Sequence, residues 1–250
     1  MRLGVDQIQD FYERCYQPAP DGAKWAGWRE LGAVTKADHI AELLDAAAIT
    51  AVRSVAEVGC GDGSVLAELA RRGLGETRIG LDISSSAVQI AETRSGVSSA
   101  SVFDGKHIPA ADRTYDLVIA THVLEHVPAP QLLLGELARV CREALVIEVP
   151  LERNIAASRP RARAASDASG HLHRFDRAQI RTMIADAGWQ VRAELRDPLP
   201  RAVHTFAADT GAQRAKATAK WAVRSVLSAA PPLAERLFTL HYAVLATPSM

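Results

Sequence analysis

Short apolar runs alternate with amphipathic stretches through the middle of the chain. Ser54–Val58, Arg78–Ile83, Ala100–Phe103, Tyr115–Thr121 and Ala144–Val149 are brief runs rich in Val, Ile, Leu and Ala. Bounded by polar turns, Gly or Pro, such runs predict buried strands. Between them, apolar residues recur at helical spacing. Gly63–Arg72 predicts a helix with Leu66, Leu69 and Ala70 inward and Gly73 as its stop. Ser84–Thr93 predicts a second, opened by a run of capping serines, and Pro130–Arg142 a third. Strand–helix alternation at this interval predicts an α/β fold with a doubly wound parallel sheet.

The two ends read differently. Residues 1–50 predict an N-terminal helical cap carrying Trp25 and Trp28, with Ile40, Leu43 and Leu44 at helical spacing in Lys36–Ala48. Residues 51–250 form the main domain, with insertions at about 151–175 and 210–235. Arg153–Ser169 is rich in Arg, Ala and Ser and predicts a mobile loop or loose helix. Gln179–Ala187 predicts a helix ended by Gly188, Trp189–Leu195 a strand, Thr210–Leu227 a helical insertion around Trp221, and Leu237–Ala246 a last strand. Two late strands bracketing an insertion predict an antiparallel hairpin at one sheet edge.

Composition narrows the class. The 250 residues are 48% hydrophobic and 23% charged, ordinary for a globular chain with one sizeable domain. Lys+Arg and Asp+Glu balance at 29 each, so no global charge invites nucleic acid or an anionic membrane. No apolar run approaches the ~18 residues of a spanning helix. Met1–Gln7 lacks the apolar core of a signal peptide. Cys15, Cys60 and Cys141 are odd in number and widely spaced, which fits neither a disulfide framework nor a zinc pattern. A cytoplasmic location is the expectation.

The candidate chemistry begins at Glu57-Val-Gly-Cys-Gly-Asp-Gly63, where a strand runs into a turn. Gly59, Gly61 and Gly63 remove side chains from a place where a ligand can lie against backbone. A dinucleotide fingerprint needs its third glycine where Ser64 stands, and a P-loop needs a lysine that is absent. Asp82, ending the next strand, stands about where a ribose-binding acid belongs.

In combination these motifs resemble class I S-adenosylmethionine-dependent methyltransferases of the small-molecule type. Glu57–Gly63 resembles the first motif, Gly80-Leu-Asp-Ile-Ser84 the second, Phe103-Asp-Gly-Lys-His-Ile-Pro109 the third, and Tyr115–Val127 the fourth strand with its exit loop. The likeness is close over residues 54 to about 149 and looser over Gly170–Val191. It implies a Rossmann-like, mostly parallel seven-stranded sheet with a terminal antiparallel hairpin, and S-adenosylmethionine as cofactor. It also implies cofactor roles. Gly59, Cys60, Gly61 and Gly63 frame the methionine end, while Glu57 orders their turn. Asp82 accepts from the ribose hydroxyls, Ile83 packs on the adenine, and Asp104 and Gly105 border it. Thr121 and His122 lie at the strand exit, beside the methyl group.

A histidine cluster carries the remaining chemistry. His122, Glu125 and His126 stand at i, i+3 and i+4, and a helix would place all three on one face. His171 and His173 follow in Gly170-His-Leu-His-Arg-Phe175. Three readings stay open. One of His126, His122 or His171 is a general base that deprotonates the acceptor. Alternatively Glu125 and His126, with His122 or a distal histidine, bind a divalent metal. In the third, Glu125 and His126 merely organise the exit loop. The segment resembles the metal-binding Glu-x-x-Glu-His of small-RNA 2′-O-methyltransferases, with His122 replacing the first Glu. It also resembles the Leu-Glu-His-Val of ubiquinone-pathway O-methyltransferases.

Other polar residues read as structural. His39 and His107 are expected at the surface. Arg153, Arg159, Arg161 and Arg163 favour a solvated loop over a lid or an anion contact. Tyr12, Tyr16, Trp25, Trp28 and Trp221 read as cap packing, one or two of them reaching the pocket. The expected activity is methyl transfer to a small-molecule acceptor, sugar-like or anionic, at a hydroxyl in preference to an amine. An N-methyltransferase, an RNA 2′-O-methyltransferase and a non-catalytic cofactor-binding protein are the alternatives.

Overall fold

The computed structural model describes residues 5–17 and 22–249. Residues 1–4 and 18–21 of the expected cap, with Met250, lie outside the described residues. Seven strands form one sheet: β1 Ser54–Val58, β2 Thr77–Asp82, β3 Ser99–Val102, β4 Tyr115–Thr121, β5 Cys141–Pro150, β6 Trp189–Asp197 and β7 His241–Pro248. Their spatial order is β3-β2-β1-β4-β5-β7-β6. The first five pair in parallel, and β7 runs antiparallel to both β5 and β6. The predicted sheet and hairpin are therefore present. The last strand lies inside the sheet and β6 takes the edge.

The helices are α1 Val5–Tyr16, α2 Gly22–Ala46, α3 Ser64–Arg71, α4 Ser85–Thr93, α5 Pro130–Val140, α6 Pro160–Ala168, α7 Arg177–Asp186, α8 Arg201–Thr205, α9 Gly211–Ser228 and α10 Pro231–Leu237. Strand alternation sorts the core into two layers. Val55, Leu117, Ile119, Ala144, Val146, Ala243 and Leu245 pack with Ile40 and Leu43 of α2, Leu66 and Leu69 of α3, and Val88 of α4. Ala56, Val118, Leu145, Ile147 and Val244 face the other way, onto Leu133, Leu134 and Leu137 of α5 and Ile180 and Ile184 of α7. Each fully buried Leu or Ile stabilises by roughly 1.5–3 kcal/mol relative to exposure. The same alternation carries Glu57, Thr121, Glu148 and His241 onto the α2 side.

The structure settles two points the sequence left open and moves one boundary. The segment after β4 is a turn and not a helix, because His122 adopts a left-handed φ of 58°. The last strand starts at His241 and not Leu237, because Pro231 and Pro232 open α10 and its Ala234 is buried with Phe238 and Leu240. Residues 153–169 contain a helix, α6, opened by Pro160, the second of the two expected forms. The caps of the other late helices were readable. Asp176 with Gln179 and Thr210 with Gln213 each form a capping box.

The chain leaves β1 toward β2 and returns to β4 on the opposite side, so a crevice opens where the carboxyl ends of β1 and β4 diverge. Asp116, near the start of β4, secures the opposite end. Its carboxylate accepts from the backbone N–H groups of Arg53 (3.1 Å) and Ser54 (3.0 Å) and from Arg142 Nη1 (2.6 Å). Burial works against its charge, but these donors prevail and hold its pKa below the ordinary 3.8. Its stabilisation is complete above 3.8 and fades as pH falls through the folded value. Asp116→Asn is expected to lower unfolding free energy by about 1.5–3 kcal/mol at pH 7. In urea melts at successive pH values, the gap to the wild type should close on the acid side of 3.8.

Candidate cofactor and acceptor site

A cavity of about 550 Å³ occupies the crevice. Its floor is the Gly59–Asp62 turn, the end of β2 and the exits of β4 and β5, and α1 and α2 cover it with Ile8, Tyr12, Tyr16 and Trp28. Gly59 and Gly61 have φ of 74° and 53°, which favour glycine. A Cβ on Gly61 would collide with the Tyr16 hydroxyl, and one on Gly59 with Val123. Gly63 lies outside the cavity wall. A Cβ there would press on Ala91 of α4, so its bare backbone serves helix packing.

Asp82 ties the second strand to this turn. One carboxylate oxygen accepts from Gly61 N–H at 2.7 Å and the other from Ser84 N–H at 2.9 Å. Burial still raises its pKa above the ordinary value, against those donors. Each oxygen keeps a free lone pair for a ligand hydroxyl. Ile83, Phe103 and Gly105 continue the wall. Asp104 lies outside it, exposed, with Oδ1 accepting from Lys106 and His107 N–H and so shaping the loop beside Gly105. Glu57 is buried, and its Oε2 has no hydrogen-bond partner among the described residues. The same is true of Thr121 Oγ1. Burial pushes the Glu57 carboxyl up to about 8. A carboxyl and a hydroxyl with unmet hydrogen bonds in a cavity wall fit a ligand that brings polar groups to them.

Glu13 fastens the cover. Its carboxylate accepts from Ser84 Oγ at 2.9 Å and Ser86 N–H at 3.1 Å, at the N-terminus of α4. Those bonds, Ser86 first, lower its pKa to about 2. α1 is thereby held over the cavity, and the buried Tyr12 hydroxyl has no hydrogen-bond partner among the described residues. Tyr12 meets the His126 ring edge-on at 5.4 Å.

The histidines gather at the far end of the cavity. Glu125 Oε1 lies 3.1 Å from His122 Nδ1 and 3.8 Å from His126 Nε2. His126 Nδ1 donates to the Gly170 carbonyl at 3.1 Å, and burial lowers its pKa. His171 stands edge-on to His126 at 4.8 Å and bonds Glu152 through Nδ1 at 2.7 Å. His173 stacks on Phe175 outside the wall. Glu125, His126 and His171 form one possible metal-ligand set, and His122, Glu148 and His241 a second.

Three participants escaped the sequence reading. Glu148, an acid inside the buried run Ala144–Val149, was the readable signal. His241 and His39 bond its two oxygens. His39 is thus corrected from surface to interior: it is buried between Glu148 and Asp197, at 3.0 and 2.9 Å. Burial disfavours its charged form, yet the two carboxylates push its pKa up to about 10. His107 is exposed as expected, beside Glu136. Arg159, Arg161 and Arg163 are exposed on α6, and Arg153 pairs with Asp176, all outside the cavity wall. Of the five aromatic residues read as cap packing, three line it, Tyr12, Tyr16 and Trp28, where one or two were expected.

A methyltransferase-domain profile matches residues 28–194. The chain belongs to the class I S-adenosylmethionine-dependent methyltransferases. Methyltransferase GfsG of Streptomyces halstedii is 32% identical over 111 residues, covering 42% of this chain and 38% of that protein. A ubiquinone biosynthesis O-methyltransferase of Thiobacillus denitrificans is 35% identical over 105 residues, covering 40% of this chain and 44% of the relative. The matched part thus spans about two fifths of either relative. The fold is shared with magnesium protoporphyrin IX methyltransferase of Synechocystis PCC 6803, solved with bound S-adenosylhomocysteine. That comparison has a TM-score of 0.56 at 17% identity, covering 96% of this chain and 94% of that one.

In this chain the wall suits the family's donor. Glu57 and Thr121 lack partners that an ammonium can supply, and Asp82 has lone pairs for two ribose hydroxyls. Losing bonds to a charged acceptor costs about 1.5–3 kcal/mol. Asp82→Ala is therefore expected to weaken S-adenosylmethionine binding at least tenfold by calorimetry. Affinity equal to wild type would remove Asp82 from the cofactor site.

Proposed function

We propose that this protein transfers the methyl group of S-adenosylmethionine to a hydroxyl of a small-molecule acceptor, with His126 as general base. The observation that carries this reading is the environment of His126. Its Nδ1–H is spent on the Gly170 carbonyl, which leaves the Nε2 lone pair as the basic site. Burial favours the neutral ring that can accept a proton. Once protonated, Nε2 stands 3.8 Å from the Glu125 carboxylate, whose Oε2 is buried without a partner. The ring is thus held neutral beside a group that stabilises its charged form, as a base for a weakly acidic hydroxyl requires. When bound, the cofactor supplies a methyl group activated by its sulfonium charge.

Tyr12, His126 and His171 form the acceptor end of the cavity, and Asp82, Gly59 and Gly61 the donor end. Thr121 and His122 join the two. A relative named as an O-methyltransferase supports hydroxyl over amine. The mix of aromatic faces with His, Glu and Lys36 in one wall suits a compact polar acceptor, sugar-like or anionic. No described helix is long and apolar enough to cross a membrane. The reading includes a cytoplasmic setting, supported by three free cysteines.

The test is methyl transfer from radiolabelled S-adenosylmethionine to panels of sugar, polyketide and phenolic hydroxyls and of matched amines. Wild type should label hydroxyls. His126→Ala should lower kcat by about 10²–10⁴ while cofactor affinity stays within a few fold. Labelling of amines alone, with His126→Ala fully active, would overturn the proposal.

A further inference from the structure

A second polar centre in the same cavity wall is not used by His126. His122 comes from the turn after β4, Glu148 from β5 and His241 from the start of β7. His122 Nε2 lies 2.9 Å from His241 Nδ1, and each nitrogen lies 3.3 Å from Glu148 Oε1. Three donor atoms therefore form a nearly equilateral triangle. Metal bonds of about 2.1 Å place neighbouring ligand atoms about 3.0 Å apart in octahedral and about 3.4 Å apart in tetrahedral geometry. The observed edges of 2.9, 3.3 and 3.3 Å fall within about 0.1 Å of that interval.

His122 Nδ1 faces Glu125 at 3.1 Å, so Nε2 is the ring nitrogen turned toward the centre. A cation at the centre takes one lone pair from each of the three converging atoms.

The surroundings have the form of a metal's outer shell. Glu125 orients His122 through Nδ1. His39 donates through Nδ1 to Glu148 Oε2 at 3.0 Å and through Nε2 to Asp197 at 2.9 Å. The neighbouring Glu125, His126 and His171 set is looser. Its Glu125–His126 separation is 3.8 Å, His126 Nδ1 is spent on Gly170, and His171 Nδ1 on Glu152.

We propose that His122 Nε2, His241 Nδ1 and Glu148 Oε1 bind one divalent transition-metal ion. Two imidazoles and one carboxylate suit Mn, Fe(II), Co or Zn better than Mg or Ca, which prefer all-oxygen sites. The remaining coordination positions lie toward the cavity. The inference deepens the proposed function and rests on the acceptor occupying that cavity. An ion at this place polarises an acceptor hydroxyl, and Glu125 links its ligand His122 to the base His126.

The test uses the whole chain, stripped with chelator and titrated with Co²⁺ while visible absorption is recorded, without acceptor. One equivalent should bind and develop the d–d bands of nitrogen- and oxygen-ligated Co(II). His241→Ala and Glu148→Gln should each weaken binding at least 100-fold, and His39→Gln about 10–100-fold. His171→Ala should bind as wild type does. Circular dichroism and S-adenosylmethionine calorimetry on each variant separate lost ligands from lost fold, and His241→Ala serves if Glu148→Gln does not fold. No stoichiometric Co²⁺ uptake by wild type overturns the site. So does a folded His241→Ala with wild-type affinity, or loss of binding in His171→Ala equal to that in His241→Ala. Failed Co²⁺ binding with intact cofactor binding refutes the metal alone, whereas failed cofactor binding refutes the methyltransferase reading.

Discussion

The buried carboxylate of Glu148 organises this molecule more than any other group. It sits near the carboxyl end of β5 between apolar neighbours, where an uncompensated buried charge costs several kcal/mol. Three imidazoles answer it: His39 on one oxygen, His122 and His241 on the other. Each comes from a different element, so satisfying one charge fixes several pieces of backbone. α2 is docked through His39, with Asp197 of β6 behind it. The start of β7 is positioned through His241. The exit turn of β4 is drawn over, with His122 in a left-handed conformation that is uncommon for a non-glycine residue.

The cavity has two halves built on different principles. The donor half is made largely of backbone and of groups close in sequence. Asp82 and the Gly59–Gly61 turn meet where β1 and β2 end side by side, and their contact is one hydrogen bond from N–H to carboxylate. The acceptor half is made of side chains from the β4 exit, the loop before α7, and the end of β5 with β7. Thr121 and His122 line both, and on the proposed reading the reacting groups meet there. α1 closes both halves through Glu13 on the α4 terminus and Tyr12 over His126.

Local periodicity made most of the scaffold legible. The boundaries of β1 and β4 follow directly from their apolar runs, and those of α3, α4 and α7 agree to within about two residues, because caps and stops are local chemistry. Where local signals competed, the pattern misled. Spacing at 122, 125 and 126 is that of a helix face, but the imidazole of His122 is held by Glu148 and His241, and the backbone turns to allow it. His39 has the sequence context of a surface helix position, and only the strands beneath α2 show why it is buried. The apolar stretch from Leu237 hid a helix end, because its residues pack as a small core of their own.

By itself the sequence determined the α/β alternation, the glycine turn and the two acids that mark the donor's place. All of these depend on residues within a strand, a turn or one helix. It also named His122, Glu125, His126 and His171 without saying which belong together. The tertiary structure decided that. It joined His126 to Gly170 and His171, and it placed His122 with Glu148 and His241. His122 and His241 are 119 positions apart, and His39 and Asp197 are 158 apart. Contacts at such separations arise from strand order and the burial of charge, which no local pattern encodes.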